Sequence, residues 1–309
     1  MPLTPPDISL YREGNIGVPY VTRLTGGRPG PHLLVNALTH GNEPCGAIAL
    51  DHLLRSGIEP LRGTLTLSFA NVGAYRSSES TQPGGGRFLD EDLNRLWDAT
   101  TLDGGPPSRE RARARELRPI VDAADYLLDL HSMSLAGAPL MLAGMLDRTL
   151  ALARLVGLPE VIVRDPGHAA GRRLRDYGPF SDPRSPKTAL LVECGQHNDA
   201  GAADLAIVAT LRLLAALDMI EPGLAEKRAP APAAAQRVVT VTEAVTAETR
   251  SFAFAADYCG LEVIARRGTL IARDGAREIR TPYDDCVLVM PSPRLAPGQT
   301  AVRLGRITG

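Results

Sequence analysis

Apolar residues in this chain fall into short runs separated by amphipathic stretches, and the alternation of the two predicts the architecture. Residues 31–38, 63–70, 125–130, 160–164 and 188–193 are apolar runs of strand length, whereas 44–55, 109–121, 147–156 and 202–217 read as helices. Pro44 opens the first of these helices, a position that needs no amide hydrogen. Strands alternating with helices predict an α/β layer fold built on a largely parallel or mixed sheet. The pattern changes after residue 220. Residues 221–236 include Arg-Ala-Pro-Ala-Pro-Ala-Ala-Ala, lack apolar periodicity and read as a connector. Beyond them, 238–242, 261–264, 269–272, 286–290 and 300–304 are β-type runs broken by turn residues at 266–268 and 274–275. The expected organisation is an α/β domain over 1–220, a linker over 221–236 and a small all-β domain over 237–309.

Composition narrows the partners. The 309 residues carry a formal net charge of -1 with no block of like charges, which argues against nucleic acid or an anionic membrane as the main partner. The four cysteines form no C-x-x-C pair and no disulfide-framework spacing. With no N-terminal apolar leader and no run long enough to span a bilayer, the expected location is the cytoplasm. A homo-oligomer is left open.

Three separated stretches carry candidate chemistry: His40-Gly-Asn-Glu43, Asp129-Leu-His131 and Val192-Glu193-Cys-Gly195. Two donors three apart and a distant histidine match the ligand set of a catalytic zinc with an open position. Each stretch is weak alone. His-x-x-Glu is more often a surface pair, and a histidine closing an apolar strand is more often a hydrogen-bonded core residue. Period-two geometry puts Asp129 on the face of His131, where it could orient the imidazole. Glu193 ends an apolar strand, so burial should raise its pKa toward that of a useful general base. In Asp92-Leu-Asn94-Arg95, a neutral donor beside a guanidinium suits a substrate carboxylate.

Together these segments resemble the succinylglutamate desuccinylase and aspartoacylase family, which is related to the zinc carboxypeptidases. The resemblance covers nearly the whole chain. It implies a zinc-carboxypeptidase-like mixed-sheet α/β catalytic domain followed by a small all-β domain. It also implies one Zn²⁺ per chain held by His40, Glu43 and His131, with Glu193 catalytic. Asn94 and Arg95 would hold the substrate carboxylate. An arginine seven positions before the asparagine, here Arg87, would polarise the scissile carbonyl. Residues 83–86, Pro-Gly-Gly-Gly, read as a flexible loop that lets Arg87 approach. The family's substrate-side tyrosine and second carboxylate-binding arginine lie in a variable stretch that here holds Arg172, Arg173, Arg175, Tyr177 and Arg184 without an unambiguous counterpart. Tyr177 is the candidate substrate-binding residue there, and the arginines around it hint at a second acidic group. The implied activity is hydrolysis of the amide of a small N-acyl amino acid. The alternative is a carboxypeptidase-like enzyme acting on short peptides.

Overall fold

The computed structural model describes residues 3–78, 86–228, 235–292 and 295–309. In chain order, the first half contains β1 (Val21–Thr25), β2 (His32–Ala37), α1 (Pro44–Arg55), β3 (Thr64–Phe69), α2 (Val72–Ser78), α3 (Ala99–Asp103), α4 (Arg109–Ala123) and β4 (Tyr126–Met133). Then come β5 (Leu140–Ala143), α5 (Asp147–Val156), β6 (Val161–Arg164), β7 (Thr188–Gln196), α6 (Ala200–Ala216) and α7 (Pro222–Arg228). The last part contributes β8 (Arg237–Thr246), β9 (Phe252–Phe254), β10 (Glu262–Ile264), β11 (Leu270–Asp274), β12 (Arg277–Arg280), β13 (Cys286–Val289) and β14 (Thr300–Ile307).

Among the described residues, eleven strands form one mixed sheet in the order β1-β3-β2-β4-β7-β5-β6-β8-β14-β13-β10. Strands β3, β2, β4 and β7 run parallel, as strands joined through crossover helices must, while β5 pairs antiparallel with β7. The expected α/β class with a mixed sheet therefore holds. The β-rich C-terminal part is also present, but most of it extends the same sheet. β8 pairs parallel with β6, and β14, β13 and β10 follow antiparallel. Only β9, β11 and β12 form a separate three-stranded sheet.

Within the stretch read as a connector, residues 222–228 form α7, which docks through buried Ala225. Residues 229–234 lie outside the described residues, as do 83–85 of the glycine-rich loop.

Strand alternation decides which residues face the site. Leu33, Val35, Leu128, Leu130, Leu190 and Val192 point into the core under α1, α5 and α6. Leu34, Leu127 and Ala189 point to the opposite face, where α4, Trp97 and Leu174 cover them. Asp129, His131 and Glu193 keep the parity of Leu127 and Ala189, so they project from this second face. The β4–β7 register sets His131 directly beside Glu193.

Two glycines permit close approaches near the strand ends. A Cβ on Gly46 would meet the Cβ atoms of Ala37 and Leu130 at 2.9 and 3.0 Å, so glycine lets α1 press onto β2 and β4. A Cβ on Gly41 would lie 2.2 Å from the Tyr75 backbone nitrogen, so no other residue fits between His40 and Asn42 without moving the backbone.

Candidate active site

His40 sits in the loop between β2 and α1, and Glu43 immediately precedes Pro44 at the helix start. The turn folds both side chains toward the end of β4. His40 Nδ1 lies 2.8 Å from Glu43 Oε1, and His131 Nδ1 lies 2.8 Å from Glu43 Oε2. The donor atoms of these three residues all fall within 4.8 Å of one another, and all three residues are buried.

The far side of each imidazole is held by a carboxylate: His131 Nε2 by Asp129 Oδ2 at 2.8 Å and His40 Nε2 by Asp92 Oδ1 at 3.0 Å. Metal-binding histidines typically have their second nitrogen fixed in this way, leaving the first to face the ion. Asp129 is itself fixed, because its Oδ1 accepts from Asn36 Nδ2 and Thr39 Oγ1. The donor types, their convergence and their outer partners thus fit a divalent metal. Burial opposes the charge on Glu43, but the two histidines hold its pKa well below the ordinary carboxylate value. Burial likewise opposes a charge on His131, and Asp129 and Glu43 overcome it and raise its pKa.

Glu193 behaves differently from the other carboxylates. Burial, assisted by the nearby Glu43 charge against the pull of His131, pushes its pKa up to about 8. Its Oε2 is buried and accepts no hydrogen bond. A buried carboxylate oxygen without a donor is costly and ready to take a proton.

Arg87 closes the cluster from the other side. Its Nη1 lies 3.3 Å from Glu43 Oε1, and its Nη2 lies 2.9 Å from His40 Nε2 and 3.3 Å from Asp92 Oδ2. The Arg87 carbonyl also accepts from the Gly41 amide at 3.1 Å, clasping its loop to the His40 turn. Arg95 Nη2 stands 3.8 Å from Asp92 Oδ2, while its Nη1 donates to the Asn94 carbonyl. Asn94 Oδ1 is occupied, accepting from the Leu174 amide at 2.8 Å. It thereby fastens the segment after β6 to the one that carries Arg95.

Tyr177 does not join this group. Its ring packs edge-on against Trp97 and its hydroxyl accepts from Arg118 Nε at 3.1 Å, so it stands in the core against α4. The arginine-rich stretch suggested a substrate contact, but the Tyr177 hydroxyl already has its partner in α4.

Sequence reasoning passed over two acids here. Asp92 supplies the carboxylate that organises His40, Arg87 and Arg95 at once. Glu110, in the first turn of α4, accepts from the amides of Leu89, Asp90 and Glu91 and from Asn71 Nδ2. An acid at a helix start ordinarily reads as a partner of the helix dipole, which hid this role. Glu110→Ala should release the loop between Arg87 and Asp92 and destabilise the protein by about 2–4 kcal/mol. Denaturant unfolding checks this, and a shift below about 0.5 kcal/mol, the range of neutral surface changes, would show that the loop is held by other contacts.

Residues 29–218 match the succinylglutamate desuccinylase/aspartoacylase catalytic domain. A succinylglutamate desuccinylase from Burkholderia orbicola is 28% identical over 287 residues, spanning 87% of this chain and 79% of the relative. Among solved structures, succinylglutamate desuccinylase from Vibrio parahaemolyticus superposes with a TM-score of 0.69 at 19% identity, covering 94% of this chain and 87% of that one. The ectoine utilization protein from Ruegeria pomeroyi, solved with product bound, gives a TM-score of 0.66 at 16% identity, covering 92% and 88%. Among the described residues no helix is long and apolar enough to cross a membrane. By the match across its α/β region, which contains every residue of the cluster, the chain belongs to the succinylglutamate desuccinylase/aspartoacylase family.

Proposed function

We propose that this protein is a zinc-dependent amidohydrolase that deacylates a small N-acyl amino acid. The observation that carries the reading is the juxtaposition of a buried His40–Glu43–His131 donor set with Glu193, a carboxylate of raised pKa lacking a hydrogen-bond partner on one oxygen. His40, Glu43 and His131 would hold the ion, and imidazole with carboxylate suits zinc. When bound, zinc would supply an acidified water and Lewis-acid polarisation of the amide carbonyl.

The chain's own residues do the rest. Glu193 takes a proton from the attacking water and later delivers it to the leaving nitrogen. The water oxygen joins the carbonyl carbon, the C–N bond breaks, and a carboxylic acid and a free amino acid leave. Arg87, already aimed across the cluster, donates to the oxygen on which negative charge develops; losing one such donor typically costs about 10²–10³ in rate. Arg95 holds the substrate carboxylate with Asn94 beside it, and this fixes orientation. The segment 237–309 acts in this reading as a domain flanking the cleft.

Amine release from N-acetyl and N-succinyl amino acids and from dipeptides, measured on zinc-loaded protein, tests the reading. Turnover of acyl amino acids supports it, and turnover confined to dipeptides would make the protein a peptidase. Arg95→Ala should raise KM by about 10- to 100-fold with a smaller effect on kcat, the range expected for a charge-assisted contact. An unchanged KM would remove Arg95 from carboxylate binding.

A further inference from the structure

The reaction above leaves one histidine beside the cluster without a task. Strand β7 carries a bulge just past Glu193: the register runs from His131 beside Glu193 to Met133 beside Gln196, so three steps on β7 answer two on β4. Gly195 lies within the bulge at a φ of 127°, a conformation that favours glycine. The displaced chain brings the His197 amide to the Met133 carbonyl at 2.9 Å and its Nδ1 to Ser132 Oγ at 2.8 Å. Ser132 follows His131 directly, and its own amide donates to Glu43 Oε2 at 3.2 Å. The half-buried imidazole is therefore tied to the strand end that carries the metal donors.

The bond to Ser132 also decides which ring nitrogen carries the proton. Ser132 is buried, and its hydroxyl has no other partner among the described residues. Were Nδ1 protonated, the hydroxyl would accept from it and leave its own hydrogen buried and unpaired. The hydroxyl therefore donates to Nδ1, and a neutral imidazole then holds its proton on Nε2. Burial lowers the pKa of His197 against the pull of Glu43, with Arg87, His40 and His131 adding to the effect, so the ring is neutral at pH 7. The Nε2–H donor has no acceptor among the described residues.

The charges that act on His197 locate it at Glu43, Arg87, His40 and His131, whereas His168 feels Arg95, Arg303 and Arg173. A substrate held by its carboxylate at Arg95 and by its scissile carbonyl at Arg87 must send its acyl chain away from Arg95. On that side Ser132 and Met133 lead into residues 134–139, where Gly137 bridges to Gly260 of the C-terminal part and gives the wall a fixed edge.

We propose that His197, its tautomer locked by Ser132, donates through Nε2–H to an oxygen of the acyl chain beyond the scissile carbonyl, and so selects the acyl group. The inference rests on the deacylase reading. The acceptor is a hydroxyl or a carboxylate, because an unsubstituted alkyl acyl group would leave the donor unpaired.

The test compares kcat/KM for one amino acid carrying propionyl, glycolyl or succinyl groups, in wild type, His197→Leu, His197→Gln and Ser132→Ala. In wild type the glycolyl derivative should exceed the propionyl one by about 3- to 10-fold, or the succinyl one exceed it by about 10- to 100-fold. Which of the two is preferred tells a hydroxyl acceptor from a carboxylate. His197→Leu should abolish the preference, and His197→Gln, which keeps an N–H donor, should restore part of it. Ser132→Ala frees the ring to take either tautomer and should weaken it. A ring that only braces the bulge would leave the preference intact in His197→Leu while lowering thermal stability, which would overturn the proposal, as would a wild type without preference. Should His197→Leu fail to fold, His197→Gln and Ser132→Ala carry the same comparison. Nitrogen NMR of the histidine rings, assigned with His197→Gln, gives a readout independent of turnover. If no acyl amino acid is hydrolysed, a proton on Nε2 in wild type, mixed tautomers in Ser132→Ala and a ring response to glycolate or succinate but not propionate still support the donor. A proton on Nδ1, or one response to all three acids, overturns it.

Discussion

Glu193→Gln is expected to retain metal, lose turnover by about 10²–10⁴-fold and unfold at a higher temperature than the parent. The first two effects follow from replacing a proton carrier by an amide of the same shape outside the proposed ligand set. The third follows from linkage. Glu193 is held at about 8 when folded, chiefly by burial, against an ordinary value of 4.5. A raised carboxylate pKa means that the native state keeps a proton the unfolded chain has lost. Stability of the metal-free protein therefore falls as pH rises between these two values, by up to a few kcal/mol at the upper end. Glutamine removes that dependence. Thermal melts of metal-free parent and variant at pH 5 and pH 8 should diverge, with the variant gaining most at pH 8. Retained activity would remove Glu193 as base, and parallel melts would show that its carboxylate is not strained.

The Glu193 effect was partly legible from the chain, because a glutamate closing the run Ala-Leu-Leu-Val has little choice but burial. The same parity argument placed Asp129 and His131 on one face, and the register of β4 against β7 then sets Glu193 beside His131. What period and spacing could not give was the tertiary partner. Asp92 and Glu110 sit in polar surroundings that read as solvated, and only folding brings them against His40 and the loop after Arg87. Tyr177 shows the same limit, since the nearby arginines suggested a binding role and no local pattern announced that its ring packs against Trp97 and its hydroxyl accepts from Arg118.

Secondary structure was missed where elements are short or poor in pattern. Strand β5 is four residues between Pro139 and Gly144, too brief for periodicity, and it is recruited by pairing with β7. Helix α7 was hidden by the alanine- and proline-rich residues that follow it, although Pro222 at its start is a permitted opening. Strands β8, β14, β13 and β10 were visible as β-runs. Their joining of the catalytic sheet depends on β8 pairing with β6, which no local pattern specifies.

His131→Ala should reduce bound zinc from one equivalent to near none, because it removes one of three donors and the ring that Asp129 orients. It should also destabilise the protein by about 3–5 kcal/mol, since Asp129 and Glu43 are left as buried carboxylates without the cation between them. Metal analysis after dialysis, paired with a denaturant melt, separates the two effects. Because alanine leaves a void, Asp129→Asn provides the conservative control. It keeps the side chain's volume and one oxygen toward Asn36 and Thr39, but weakens the hold on His131 Nε2. Its zinc affinity should fall by about 10- to 100-fold while the fold persists. Full zinc occupancy in His131→Ala would show that the ligands lie elsewhere. Unchanged affinity in Asp129→Asn would show that the imidazole is oriented by the strand rather than by the carboxylate behind it.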